Sequence, residues 1–268
     1  MDVSKITQKK IEELLEKERR IDGRALYEWR KIEAEVRIIN TAEGSARVKI
    51  GDTEVIAGVK LDVGEPYPDS PDQGTLITTA ELSPLASEDF ELGPPRIEAI
   101  ELARIIDRGI RESSFIDFKK LCIKKGEKVW SIFLDIYPIN EDGNLLDACA
   151  FASVLALKNA VFPKYDEKEE KVEFGNLTKE PLPLTEHFPV TITSYKINNK
   201  FVFDPSREEE KSAVARLTIA ISKDKDNEDY INALQKGGEA LTNEEIFSMI
   251  ETSLKESKKL FDIIEKIK

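Results

Sequence analysis

Between residues 145 and 160 the chain reads LLDACAFASVLALKNA, a nearly unbroken run of small and apolar side chains. A helix that is apolar all round is a buried one. The run also falls short of the ~20 residues that a membrane crossing needs. Other layers must therefore cover this helix, and the rest of the sequence has to supply them.

It does so in two rounds of strands and helices. IEAEVRIIN (32–40) alternates as a strand, and SARVKI and TEVIAGVKLDV flank Gly51-Asp52 as a hairpin. GTLITTAEL (74–82) predicts another strand, and Gly93-Pro94-Pro95 punctuates the chain. Ile97, Ile100, Ala103, Ile106 and Ile110 then recur at helical spacing between Arg96 and about Ser113. LCIKK and VWSIFLDIYPI pair around Gly126. A charged stretch, PKYDEKEEKVEFGN (163–176), separates the halves as a solvated loop or hairpin. Beyond it, PVTITSYKI and KFVF flank the turn pair Asn198-Asn199, followed by AVARLTIAIS and a short strand near Tyr230. A final helix spans 243–267, with Thr242 and Glu245 at capping-box spacing and Ile246, Ile250, Leu254, Phe261 and Ile264 as its core stripe. At the other end, residues 1–20 predict an amphipathic helix with Val3, Ile6, Ile11, Leu14 and Leu15 on one side. The expected architecture is one α+β domain over 1–268. It comprises the N-terminal helix, a first half (21–162), the charged loop and a second half (177–268), with pseudo-duplicated strand-strand-helix units whose mixed sheets pack on central helices.

The formal net charge of −12 argues against nucleic-acid binding by the surface at large, so any nucleic-acid contact must be local or shared with a more basic partner. Cys122 and Cys149 lie among apolar neighbours and read as reduced, buried thiols. With His187 the only histidine and no cysteine pair at ligand spacing, no metal site is expected; His187 reads as a loop residue at a strand entrance. No apolar run looks like a secretory signal or a membrane span, and a cytoplasmic protein is expected.

Four long blocks carry a family resemblance: IDGRALYEWR, GSARVKIGDTEVIAGVKLDVGEPYPDSPDQG, ELGPPRIEAIELARIIDRGIRES and VWSIFLDIYPINEDGNLLDACAFASVLAL. From about residue 20 to the end, the chain is similar to RNase PH-like proteins, and most of all to the archaeal exosome subunit that lacks activity. The resemblance implies the RNase PH-like fold and a six-membered ring in which this chain alternates with a catalytic sibling, three copies of each. RNA-binding cap subunits and single-stranded RNA are the further partners it implies. Phosphate and magnesium would belong to the sibling, leaving this chain no cofactor, no metal and no catalytic residue.

Chemistry supports that assignment at two places. Active relatives hold phosphate at a glycine, a serine or threonine, and an arginine at the start of the central helix, where free amides and a guanidinium suit an anion. The matching residues here are Gly143, Asn144 and Leu145, with leucine in place of arginine and with Asp142 and Asp147 adding negative charge on either side. Active relatives also carry two aspartates six residues apart. Their places fall on Glu210 and Arg216, and a guanidinium at the second repels a metal. Glu208, Glu209 and Glu210 read as a solvated loop.

What remains is binding. Arg104, Arg108 and Arg111 share one helix face, and the resemblance places the first two against RNA phosphates. The plainer reading pairs them with Glu101, Asp107 and Glu112 as surface salt bridges. The acidic loop LDVGEPYPDSPDQG (61–74) reads as structural. Two other functions compete. An autonomous phosphorolytic exoribonuclease or nucleotidyltransferase would need substitutes for the missing groups at Leu145 and Arg216. A small-molecule kinase would need a G-x-x-x-x-G-K-S/T loop, which the sequence lacks.

Overall fold

The computed structural model describes residues 3–166, 169–223 and 228–267. Helix α1 covers Lys5–Leu15, not 1–20, with Ser4 as its N-cap and Glu18 in the left-handed region just beyond its end. Only Ile11 and Leu15 of its predicted stripe are buried, and Ile6 is exposed.

The first half builds a six-stranded mixed sheet from β1 (Ile32–Val36), β2 (Gly44–Ile50), β3 (Thr53–Gly64), β4 (Thr75–Ala80), β5 (Cys122–Lys124) and β6 (Lys128–Asn140). The main order is β1-β2-β3-β6-β4, with β5 on the end of β6; β4 runs parallel to β6 and the other pairs are antiparallel. β1 stops four residues short of the predicted strand because Arg37 turns left-handed, after which the Ile39 amide bonds the Ser45 hydroxyl. Helix α2 (Ile97–Glu112) packs over β4, and α3 (Leu145–Lys158) lies between β2–β3 and the second sheet.

The charged stretch is a hairpin, β7 (Val161–Asp166) with β8 (Lys171–Pro181); its predicted residues 167–168 lie outside the described ones. The second half forms an antiparallel sheet, β10-β9-β11-β12, from β9 (Val190–Ile197), β10 (Lys200–Phe203), β11 (Ala215–Lys223) and β12 (Asp229–Gly238). Helix α4 (Arg207–Ser212) joins β10 to β11, and α5 (Asn243–Lys266) covers β9 and β11, opening on the predicted Thr242–Glu245 capping box.

One apolar core runs from Ala46 to Ile264 through both sheets, and α3 is its axis: all twelve residues from Leu146 to Leu157 are buried. Truncating a fully buried leucine there, such as Leu155, would cost about 2–5 kcal/mol. Among the described residues no helix is long and apolar enough to cross a membrane.

Candidate functional site

The N-terminal end of α3 points at the junction of the two halves, where the sequence places the altered phosphate site. Gly143 has φ +82°, and a Cβ there would stand 2.5 Å from the Pro205 carbonyl oxygen, so the chain needs glycine at this point. Asn144 follows in the left-handed region at φ 54°, a conformation asparagine tolerates, and is fully buried. Its backbone amide, one of the free donors of a helix start, donates to Glu210 Oε2 at 2.7 Å. The other Glu210 oxygen accepts the Tyr195 hydroxyl at 3.0 Å. A carboxylate of the chain itself therefore stands where an anionic ligand would be held. Burial pushes the Glu210 carboxyl above its ordinary range, while the Asn144 amide and the Tyr195 hydroxyl pull the other way.

Glu208, Glu209 and Glu210 are not the solvated loop that their charge suggests. They lie in α4, where only Glu208 is exposed and Glu209 is fully buried against an equally buried Arg20. Arg20 Nη1 also donates to the Phe203 carbonyl and Nη2 to the Asp204 carbonyl, each at 2.7 Å. Asp204, fully buried, gathers Arg24 Nη1 (3.0 Å), the Arg30 amide (2.7 Å), Arg30 Nη2 (2.7 Å) and Asn144 Nδ2 (3.1 Å). Arg30 reaches on to the carbonyls of Asp142 (2.7 Å) and Gly143 (3.0 Å). Three guanidiniums thus gather around Asp204 beside the start of α3, and Asp204, Glu209, Asp22 and Asp142 of the same chain neutralise them.

The two aspartates expected to repel phosphate do something else. Asp142 forms an ion pair with Arg30 at 3.2 Å. Asp147 is buried and accepts the Thr193 amide (3.0 Å) and hydroxyl (2.7 Å); burial pushes its pKa up to about 7 despite these bonds. It ties α3 to β9 rather than facing a ligand. Leu145 packs against the core. Gly143, Asn144 and Leu145 thus supply no cation, and these residues do not fit a bound phosphate.

Arg216 is not paired with Glu210, although it stays near enough for its charge to act on that carboxyl. It lies on β11 opposite Gly237 of β12, and its Nη2 reaches across to Glu101 of α2 at 2.8 Å. Among the described residues no three His, Cys, Asp or Glu side chains gather as metal ligands.

The second predicted region is a groove of about 650 Å³ between α2 and β12, lined by Arg104, Arg108, Arg111, Ile100, Leu234 and Gln235. All three arginines are exposed, but they differ. Arg111 is tied down: its Nε donates to Asp107 Oδ2 at 2.7 Å, its Nη2 to the Leu76 carbonyl, and its guanidinium lies 5.5 Å from the Phe118 ring centre. Among the described residues Arg104 and Arg108 have no hydrogen-bonding or ion-pair partner. The plainer salt-bridge reading therefore holds for Arg111 alone.

The remaining expectations sort simply. His187 is a half-buried loop residue whose Nδ1 lies 2.6 Å from the Lys223 carbonyl oxygen. Cys149 is buried, whereas Cys122 at the start of β5 is only half-buried. The acidic loop lies on its own chain, with the Gly126 amide donating to the Pro71 carbonyl at 2.7 Å. Sequence reasoning missed the roles of Arg20, Arg24, Arg30 and Asp204 and misread Glu209 as solvated; the IDGRALYEWR block was the one available signal, and only for Arg24 and Arg30.

Two sheets enclosing a buried helix that starts at the junction of the two halves are the frame of an RNase PH-type protein. Family models described as "3' exoribonuclease family, domain 1" and "domain 2" match residues 28–163 and 187–256, and the chain belongs to that family. Within it, the chain falls among the exosome components called Rrp42. It is 42% identical over 265 residues to "Exosome complex component Rrp42" of Methanothermobacter thermautotrophicus, covering 98% of this chain and 96% of the relative. It is 47% identical over 251 residues to the same component of Archaeoglobus fulgidus, covering 92% of each. A chain of the solved Archaeoglobus fulgidus exosome, described with RNA bound to the active site, superposes with TM-score 0.86 at 45% identity, covering 96% of this chain and 97% of that one.

Proposed function

We propose that this chain is a non-catalytic ring subunit of an exosome working in the cytoplasm. It alternates with a catalytic RNase PH-like sibling, three copies of each, beneath RNA-binding cap subunits. Phosphate and magnesium are held by the sibling, and this chain supplies Arg104 and Arg108 to grip RNA phosphates beside the sibling's site. The observation that carries this reading is the Glu210 carboxylate on the Asn144 amide: the donor that would hold phosphate is already used. Two unpartnered guanidiniums on one helix face suit a sequence-independent grip on a phosphate backbone. The autonomous exoribonuclease has no such support: Arg30, the guanidinium beside Gly143, is already paired with Asp204 and Asp142, and among the described residues no carboxylate cluster replaces the one lost at Arg216.

The test is reconstitution with the catalytic sibling. Mass measurement should give a six-membered ring, and Arg104→Glu with Arg108→Glu should leave that mass unchanged while weakening oligoadenylate binding about 100-fold at low salt. Unchanged affinity in an intact ring would refute the RNA-gripping role.

A further inference from the structure

Arg216 occupies the place where an active relative would carry a carboxylate, and its guanidinium has a different partner. It crosses from β11 to α2 and holds Glu101 at 2.8 Å. We infer that Arg216 is a positioning residue for the groove: by holding Glu101 it keeps that carboxylate from neutralising Arg104 and Arg108. The inference rests on reading this groove as an RNA contact.

Glu101 precedes Arg104 by three residues and Arg108 by seven, so all three share one face and line the same groove. Side chains three or four apart on a helix meet readily. An unclaimed carboxylate at 101 would draw in Arg104, or would repel an approaching phosphate. Helix α2 contains its own control. Asp107, which among the described residues no cation from the second sheet reaches, takes Arg111 four residues on, at 2.7 Å. Glu101, claimed from the second sheet, leaves Arg104 free. Asp107 thus shows that an acid on this helix can capture an arginine one turn away, whereas Glu112 at the far end of the groove takes none among the described residues.

Gly237 makes the crossing possible. It sits directly across from Arg216 in the β11–β12 ladder, and a Cβ there would stand 2.7 Å from Arg216 Nε. A side chain at 237 would push the guanidinium off the path to α2.

The experiment uses the ring assembled with the catalytic sibling and a fluorescein-labelled oligoadenylate at low salt. Arg216→Gln is expected to weaken binding about fivefold, the scale of one uncompensated charge near the groove. Adding Glu101→Gln should restore affinity to within about twofold, since pair and double variant carry the same local charge. Gly237→Ala should fall between and be rescued in the same way. A bridge that merely holds α2 in place would leave the double variant as weak as the single one, and that result overturns the inference. Native affinity in Arg216→Gln, alongside a loss in Arg104→Glu, also overturns it while sparing the RNA-gripping role. Native affinity in both variants overturns both. Should Arg216→Gln fail to assemble, Glu101→Gln alone decides: releasing Arg216 into the groove should tighten binding, and unchanged affinity counts against the proposal.

Discussion

The start of α3 and the α2–β12 groove are built from the same charged groups, arginines and carboxylates, yet they end in opposite electrostatic states. At α3, Arg20, Arg24 and Arg30 meet Glu209, Asp204, Asp22 and Asp142, while Glu210 takes the Asn144 amide, so each of these cations is answered from within the chain. In the groove Glu101 is drawn aside to Arg216 and Asp107 to Arg111, so among the described residues Arg104 and Arg108 are left over beside an equally unpaired Glu112. Binding capacity is thus decided less by which residues are present than by which are already spent. A protein of net charge −12 can in this way present a local cationic strip.

The contrast can be attacked first at its most heavily used group. Asp204→Ala would remove the buried acid that Arg24 and Arg30 share, leaving them only the more exposed Asp22 and Asp142, and a loss of about 3–5 kcal/mol is expected in chemical denaturation. A loss below 1 kcal/mol would mean that the α3 junction is not internally neutralised as described. Next comes pH. The folded pKa of Asp147, raised to about 7 by burial, lies above the unfolded value of about 3.9, so folding favours its protonated form. The sign follows: this stabilising contribution is complete below about pH 4 and disappears as pH rises to about 7, a decline on the order of a few kcal/mol. Glu210, also raised, adds a decline of the same sign. Denaturation midpoints between pH 4 and 8 should flatten in Asp147→Asn, and an unaltered profile would contradict the assignment.

Glu210→Ala should be milder, at about 1–3 kcal/mol, because it strands the Asn144 amide and the Tyr195 hydroxyl. RNA trimming by the assembled ring should persist at native rates. The smallest effect separates the groove's own arginines. Arg104→Ala should lower RNA affinity about threefold at low salt and Arg111→Ala less than twofold, with Arg111→Ala costing about 1 kcal/mol in stability instead. Equal effects on affinity would show that the intrachain contacts of Arg111 do not distinguish it.

The parts that were legible in the sequence are those governed by neighbours along the chain. The buried α3 followed from its all-round apolar run, and the start of α5 from a cap three residues wide. The exposed face of Arg104, Arg108 and Arg111 followed from helical spacing. What stayed hidden depends on partners far away in sequence. Asp204 meets Arg24 and Arg30 across 180 and 174 residues. Glu101 meets Arg216 only because β12 passes between them with glycine at 237. No periodicity records such pairings. A run of three glutamates reads as solvent-facing until a buried arginine is found beside it. The left-handed turn at Arg37, which cuts β1 short, likewise leaves no pattern in composition.

The central claim is that the anion position at α3 is closed from within. Its most direct test incubates the purified chain, free of any sibling, with 3′-labelled oligoadenylate, inorganic phosphate and magnesium, and follows nucleoside diphosphate release. No release is predicted, with release appearing once the catalytic sibling is added. Steady release by the chain alone, lost on Glu210→Ala, would contradict the account.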